Sequence, residues 1–141
     1  RSFADMRRLV GPSKPNAPIA VGCTMEGDPY SLPTAMCELT LRELGWNAQN
    51  LGNWQPLQSM MQAIKKIQPR MFWLSVSKVD KPDAFPGTIK QLYEVAEENN
   101  CALIIGGRGV SDPERRKQLE FSGYCDSMSQ FMKLAKQIHS V

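Results

Sequence analysis

The sequence predicts a doubly wound α/β domain with five parallel strands, and three observations lead there. Short apolar runs without period-two alternation recur along the chain, the pattern of strands covered on both faces. Helical stripes separate them. The resulting order, β-α repeated five times, places the strands parallel and the helices on both sides of the sheet.

The strongest strand candidates are Ile19-Ala20-Val21-Gly22-Cys23, Met71-Phe72-Trp73-Leu74-Ser75-Val76 and Ala102-Leu103-Ile104-Ile105. Two weaker segments, Trp46-Asn47-Ala48-Gln49-Asn50-Leu51 and Tyr124-Cys125, are half polar or very short. Buried first, third and fourth strands with second and fifth strands at the edges give the order 2-1-3-4-5.

The first helix is read from Leu32, Ala35, Met36 and Leu39, spaced i, i+3, i+4 and i+7. Leu57, Met60, Met61, Ile64 and Ile67 define the second, with Pro56 as its opening residue. Ile89, Leu92, Val95 and Ala96 define the third. A fourth is read from its start, where Asp112 is placed to cap, Pro113 to occupy the first turn and Glu114 to follow. Met128, Phe131, Met132, Ala135 and Ile138 define the fifth, and the methionines in these stripes read as core filler.

Composition narrows the function classes. The chain has 141 residues, 42% hydrophobic and 22% charged, enough for one domain with its own core. A net charge of +3 is too small to indicate nucleic-acid binding, and the densest basic run, Arg115-Arg116-Lys117, reads as a solvated helix face. Cys23, Cys37, Cys101 and Cys125 form no C-x-x-C pair, and the one histidine, His139, lies at the C-terminal end, so no zinc or thioredoxin-type motif is present. No segment reads as a signal peptide or membrane span, so a cytoplasmic protein with reduced thiols is expected. Residues 1–17 are expected to be a linker or the tail of a preceding domain, since Gly11 to Pro18 is rich in Gly, Pro and Ser. Residues 18–141 form the α/β domain.

Ligands of this topology bind beyond the C-terminal strand ends, at the switch between the first and third strands. That rule nominates Thr24 to Pro33, Ser75 to Asp80 and Gly106 to Ser111. Gly106-Gly107 permits close approach of a ligand or of neighbouring backbone, and Ser75 and Ser77 offer hydroxyls to a ligand or to a buried loop. A phospho-acceptor site is excluded because Cys23-Thr24 and Ser75-Val76-Ser77 stand where acids are needed. Glu26 and Asp28 disfavour a phosphate cradle after the first strand, leaving only Thr24 and Ser31 in its favour. The sequence contains neither a P-loop nor G-x-G-x-x-G, and no nucleophile-base pair forms at this rim.

The stretch from Ala20 to about Gly109 resembles the cobalamin-binding domains of methionine synthases, corrinoid proteins, mutases and light- or cobalamin-sensing transcriptional regulators, domains of flavodoxin-like fold. Their motif is D-x-H-x-x-G after the first strand, S-x-L or a Ser/Thr variant ending the third, and G-G ending the fourth. The corresponding residues are Asp28-Pro29-Tyr30-Ser31-Leu32-Pro33 after Gly27, then Ser75-Val76-Ser77, then Gly106-Gly107. Glu43-Leu44-Gly45-Trp46 and Asn50-Leu51-Gly52 also look like the family's run through its second strand. The resemblance implies a His that ligates cobalt, an Asp that tunes it, and a nucleotide tail threaded between sheet and helix past the small Ser and Gly residues.

Departures fall on the chemistry. Tyr30 stands in place of the ligating His and Pro33 in place of the Gly. A neutral phenol is a poor cobalt ligand. Three states are left open: cobalamin bound without a protein ligand, another tetrapyrrole such as haem with Tyr30 as a ligand, or no cofactor. The candidate cofactor-contacting residues are Asp28, Tyr30, Ser31, Ser75, Ser77, Gly106 and Gly107, with no catalytic residue and no metal ligand. The expected role is a non-catalytic sensory or regulatory domain, as in a transcriptional regulator. Its expected partners are an N-terminal domain of the same chain and a second copy of itself, with no direct contact to nucleic acid or membrane. The alternatives are a corrinoid carrier for a methyltransferase or mutase, and a cofactor-free interaction scaffold in which Trp54 is an interface aromatic.

Overall fold

The computed structural model describes residues 17–24, 32–52, 55–77, 79 and 81–139. Its strands are β1 (Ile19–Thr24), β2 (Asn47–Asn50), β3 (Met71–Ser75), β4 (Ala102–Gly106) and β5 (Gly123–Cys125). The helices are α1 (Leu32–Glu43), α2 (Leu57–Ile67), α3 (Phe85–Glu98), α4 (Pro113–Arg116) and α5 (Met128–His139), with a 3-10 turn at Arg108–Val110. All strand pairs are parallel and the order is β2-β1-β3-β4-β5, as expected from the sequence.

Alternation along the central strands separates two cores. On one face Val21, Cys23, Phe72, Leu74, Leu103 and Ile105 pack with Met60 and Ile64 of α2 and Ile89, Leu92 and Ala96 of α3. On the other, Ala20, Met71, Trp73 and Ile104 pack with Leu41 of α1, Trp46, and Phe131 and Ala135 of α5. Each fully buried aliphatic or aromatic side chain contributes ~1.5–3 kcal/mol, so truncating Ile89 to Ala would cost ~2–5 kcal/mol through the cavity it leaves.

Local chemistry sets the element ends. Gln68 closes α2 in the left-handed conformation (φ 54°), its N–H donating to the Ile64 carbonyl at 3.0 Å, and Pro69 follows. Asp112 caps α4, its carboxylate accepting the Glu114 N–H at 3.0 Å. Pro56 is the residue flanking α2 rather than its first helical residue, extended at ψ 156°. The fourth helix is a single turn.

Two expectations change. The apolar stripe of α1 does not define its inward face: Met36 is 42% exposed, whereas Thr34, Glu38, Leu39 and Leu41 are buried. Periodicity of apolar residues misses a helix that turns polar side chains inward. The run Arg115-Arg116-Lys117 is not uniformly solvated either. Arg115 donates to the Gly109 carbonyl at 2.9 Å, and Arg116 donates to the Ser111 carbonyl at 2.8 Å with its guanidinium 4.0 Å above the Tyr124 ring. Both arginines tie the segment after β4 to the body of the domain; Lys117 alone is exposed, paired with Glu114 at 3.2 Å.

Candidate functional site

The C-terminal ends of β3, β4 and β5 bring small residues together on the α1/α5 side of the sheet. Register places Thr24, Ser75 and Gly106 side by side across β1, β3 and β4, with Cys125 next to Gly106. Beyond them lies a cavity of about 210 Å³. Ser75, Gly106 and Gly107 line it from the sheet, Cys37 from α1, and Met128 and Phe131 from α5. Trp73, Ile104 and Cys125 complete its inner wall, while the exposed Asp126 and Ser127 stand on its lining ahead of α5.

Backbone geometry holds this rim. The Val76 N–H donates to the Gly106 carbonyl at 2.8 Å, and the Val76 carbonyl accepts the Gly109 N–H at 2.8 Å. Gly107 bends the chain between these bonds with φ 111°, a conformation that disfavours any residue with a Cβ. A Cβ on Gly106 would lie 2.8 Å from the Cys125 carbonyl oxygen, so glycine here lets β4 and β5 close together beside the cavity. At the β1 end, the Thr24 and Thr34 hydroxyls form a buried hydrogen bond at 3.0 Å, joining that strand to α1. At the start of α5, Ser127 Oγ accepts the Gln130 N–H at 3.2 Å and Gln130 Oε1 accepts the Asp126 N–H at 2.9 Å, which fixes the helix entry.

The cavity wall is uncharged apart from Asp126. Burial pushes the Cys37 thiol up to about 12, with the neighbouring Cys125 adding to the effect. Burial and then Asp126 push Cys125 up to about 11. Both are protonated thiols at neutral pH and behave as small apolar surfaces. Among the described residues no group of three or more His, Cys, Asp or Glu side chains is arranged to hold a metal ion, and no helix is long and apolar enough to cross a membrane.

Of the residues singled out from sequence, Ser75, Gly106 and Gly107 meet at the cavity. Ser77 is half-buried just past β3 and is not part of the lining. Asp28, Tyr30 and Ser31 lie outside the described residues, as does Trp54. Sequence reasoning missed Cys37, Trp73, Cys125, Ser127, Met128 and Phe131. The signal for the last four was the topology itself, because β5 and the start of α5 necessarily flank the end of β4.

Comparison with solved structures rests on this geometry. A novel cobalamin-binding protein from Desulfitobacterium hafniense DCB-2 superposes with a TM-score of 0.75 at 18% identity, over 87% of this chain and 60% of that one. The fold is that of a cobalamin-binding protein. The monomethylamine corrinoid protein of Methanosarcina barkeri aligns with a TM-score of 0.76 at 16% identity, over 94% of this chain and 63% of that one. A chain of the methanol:cobalamin methyltransferase complex of the same organism aligns at 0.72 and 21% identity, over 94% and 51%. The chain thus spans between about half and two thirds of the length of these structures. No protein-family model matches the chain, and no curated protein matches it.

Proposed function

We propose that the chain is a corrinoid-binding domain that serves a sensory or regulatory role and performs no catalysis itself. The observation that carries the reading is the cavity at the ends of β3 and β4, where Ser75, Gly106 and Gly107 leave room for a ligand beside the sheet. A corrinoid would rest against this rim and lower a side arm into the cavity, between the sheet and helices α1 and α5. The residues fit such a group: the lining is apolar, its thiols are neutral, and at Gly106 a side chain would take up space next to Cys125. Tyr30 stands at the position of the family's ligating His, so cobalt would be held without a histidine from this chain. A domain that binds the group without steering its reactivity suits sensing better than methyl transfer.

A second reading, a corrinoid carrier for a methyltransferase, is favoured by two of the structural neighbours, a corrinoid protein and a methyltransferase complex. Titration of the purified chain with hydroxocobalamin, adenosylcobalamin and haemin, followed by visible absorbance and gel filtration, tests the proposal. Co-elution of a corrinoid with the wild-type chain supports it. Binding of haemin alone moves the assignment to a haem protein, with Tyr30 the first residue to replace. Uptake of cobalamin only by Tyr30→His marks a pocket whose ligand was lost. No uptake by either protein overturns the corrinoid reading. Cobalamin-dependent methyl transfer on adding a methyltransferase partner would favour the carrier.

A further inference from the structure

Trp73 and Gly22 are register partners in the middle of the sheet, on β3 and β1. Their side positions face α1 and α5, the side that holds the cavity. A Cβ built on Gly22 would run into Cδ2 and Cε2 of the Trp73 indole, so the bicyclic ring lies flat across the Gly22 backbone. Only 2% of Trp73 is exposed, and its side chain forms part of the cavity wall. Gly22 is not itself on that wall. The absent Cβ on β1 is what lets the largest side chain of β3 lie down beneath the cavity instead of standing up into it.

This arrangement fixes how much room remains. The space over β1 is filled by the indole, and the cavity is confined to the region above β3, β4 and β5, between Ser75, Gly106, Cys125 and Phe131. Its volume, about 210 Å³, is modestly larger than the ~150 Å³ at which an apolar cavity holds benzene. Ile104, Met128, Phe131 and the neutral thiols of Cys37 and Cys125 give it walls suited to a flat apolar face rather than to a polar sugar.

We propose that Trp73, laid across Gly22, sets the size limit of this cavity, which takes a flat aromatic group of one or two fused rings and stops short of a ring system carrying its sugar. The proposal rests on the corrinoid reading for the identity of the whole ligand, and it names the portion of that ligand that enters. Trp73 acts here as the specificity determinant, while Gly22 acts through it.

Isothermal titration of the 141-residue chain with benzimidazole and with its ribonucleoside reads the size limit directly, without any corrinoid. The wild-type chain is expected to bind the free base at least tenfold more tightly than the ribonucleoside. Trp73→Phe, which shortens the ring, is expected to reduce that preference at least threefold. Gly22→Ala is expected to weaken binding of the base at least tenfold by pushing the indole into the cavity, and Trp73→Phe in the Gly22→Ala background to restore it. Far-UV circular dichroism identifies any variant that fails to fold, in which case the wild-type and Trp73→Phe preferences decide. Equal binding of base and ribonucleoside by the wild-type chain overturns the proposal, as does binding of neither. An unchanged preference in Trp73→Phe, or wild-type affinity in a folded Gly22→Ala, also overturns it. Hydroxocobalamin titrated into the same proteins separates the two ideas: base selection without corrinoid uptake leaves the size limit standing and removes the corrinoid reading, and corrinoid uptake without base selection does the reverse.

Discussion

Gly107 passes so close to the carbonyl oxygen of Val76 that a Cβ has no place between them. The same carbonyl accepts the Gly109 N–H at 2.8 Å, so it cannot turn away without losing that bond. The end of β3 and the turn after β4 are therefore locked together over the mouth of the cavity.

Gly107→Ala should accordingly be one of the most damaging small substitutions at the site. It adds a Cβ at φ 111°, which costs ~1–3 kcal/mol in backbone strain, and it breaks the contact with Val76 as well. We expect a total loss of ~2–4 kcal/mol, read from urea denaturation, with the ligand affinity falling in parallel. A loss below ~1 kcal/mol would show that the turn relaxes freely.

Gly106→Ala separates stability from binding. Its Cβ would meet the Cys125 carbonyl oxygen at 2.8 Å and force β5 to move by a few tenths of an ångström. The expected stability cost is ~1–2 kcal/mol, and hydroxocobalamin affinity should fall at least tenfold because both residues line the cavity. Unchanged affinity in a destabilised protein would place the ligand elsewhere.

The thiols predict a pH dependence. Burial raises Cys23 and Cys101 from their ordinary 9.0 to about 12. Above pH 9 the unfolded chain releases these protons while the folded chain retains them. Their contribution to stability is therefore complete below about pH 9 and is lost as the pH rises towards 12. The slope is roughly 1 kcal/mol per pH unit for each fully buried thiol. Urea midpoints at pH 8, 9 and 10 should fall more steeply in the wild type than in a Cys23→Ala, Cys101→Ala double variant, which corrects for lysine and tyrosine titration. Parallel slopes would show that the thiols ionise as readily folded as unfolded.

How far the sequence carried can be judged from particular residues. Phe72, Leu74, Leu103 and Ile105 announced buried strands because every neighbour was apolar, and the polar Asn47 to Asn50 announced an edge. Ser75, Gly106 and Gly107 followed from topology, since ligand sites of this fold lie at strand ends. Trp73 did not stand out, because a tryptophan inside an apolar strand has the pattern of ordinary core, and its role depends on a glycine 51 positions away. Thr34 and Glu38 were equally silent: a polar residue turned inward leaves no trace in hydrophobic spacing. Arg115 and Arg116 read as a charged face because charge patterning does not see the carbonyls they bind.

The cavity also has a mechanical consequence. Empty space inside a folded chain is volume that unfolding eliminates, and hydrostatic pressure favours whichever state is smaller. The sheet face covered by α2 and α3 is filled with side chains, whereas the α1/α5 face carries the 210 Å³ void. Compression should therefore act unevenly, loosening α1 and α5 before the opposite layer, and an occupant of the void should make the domain harder to crush.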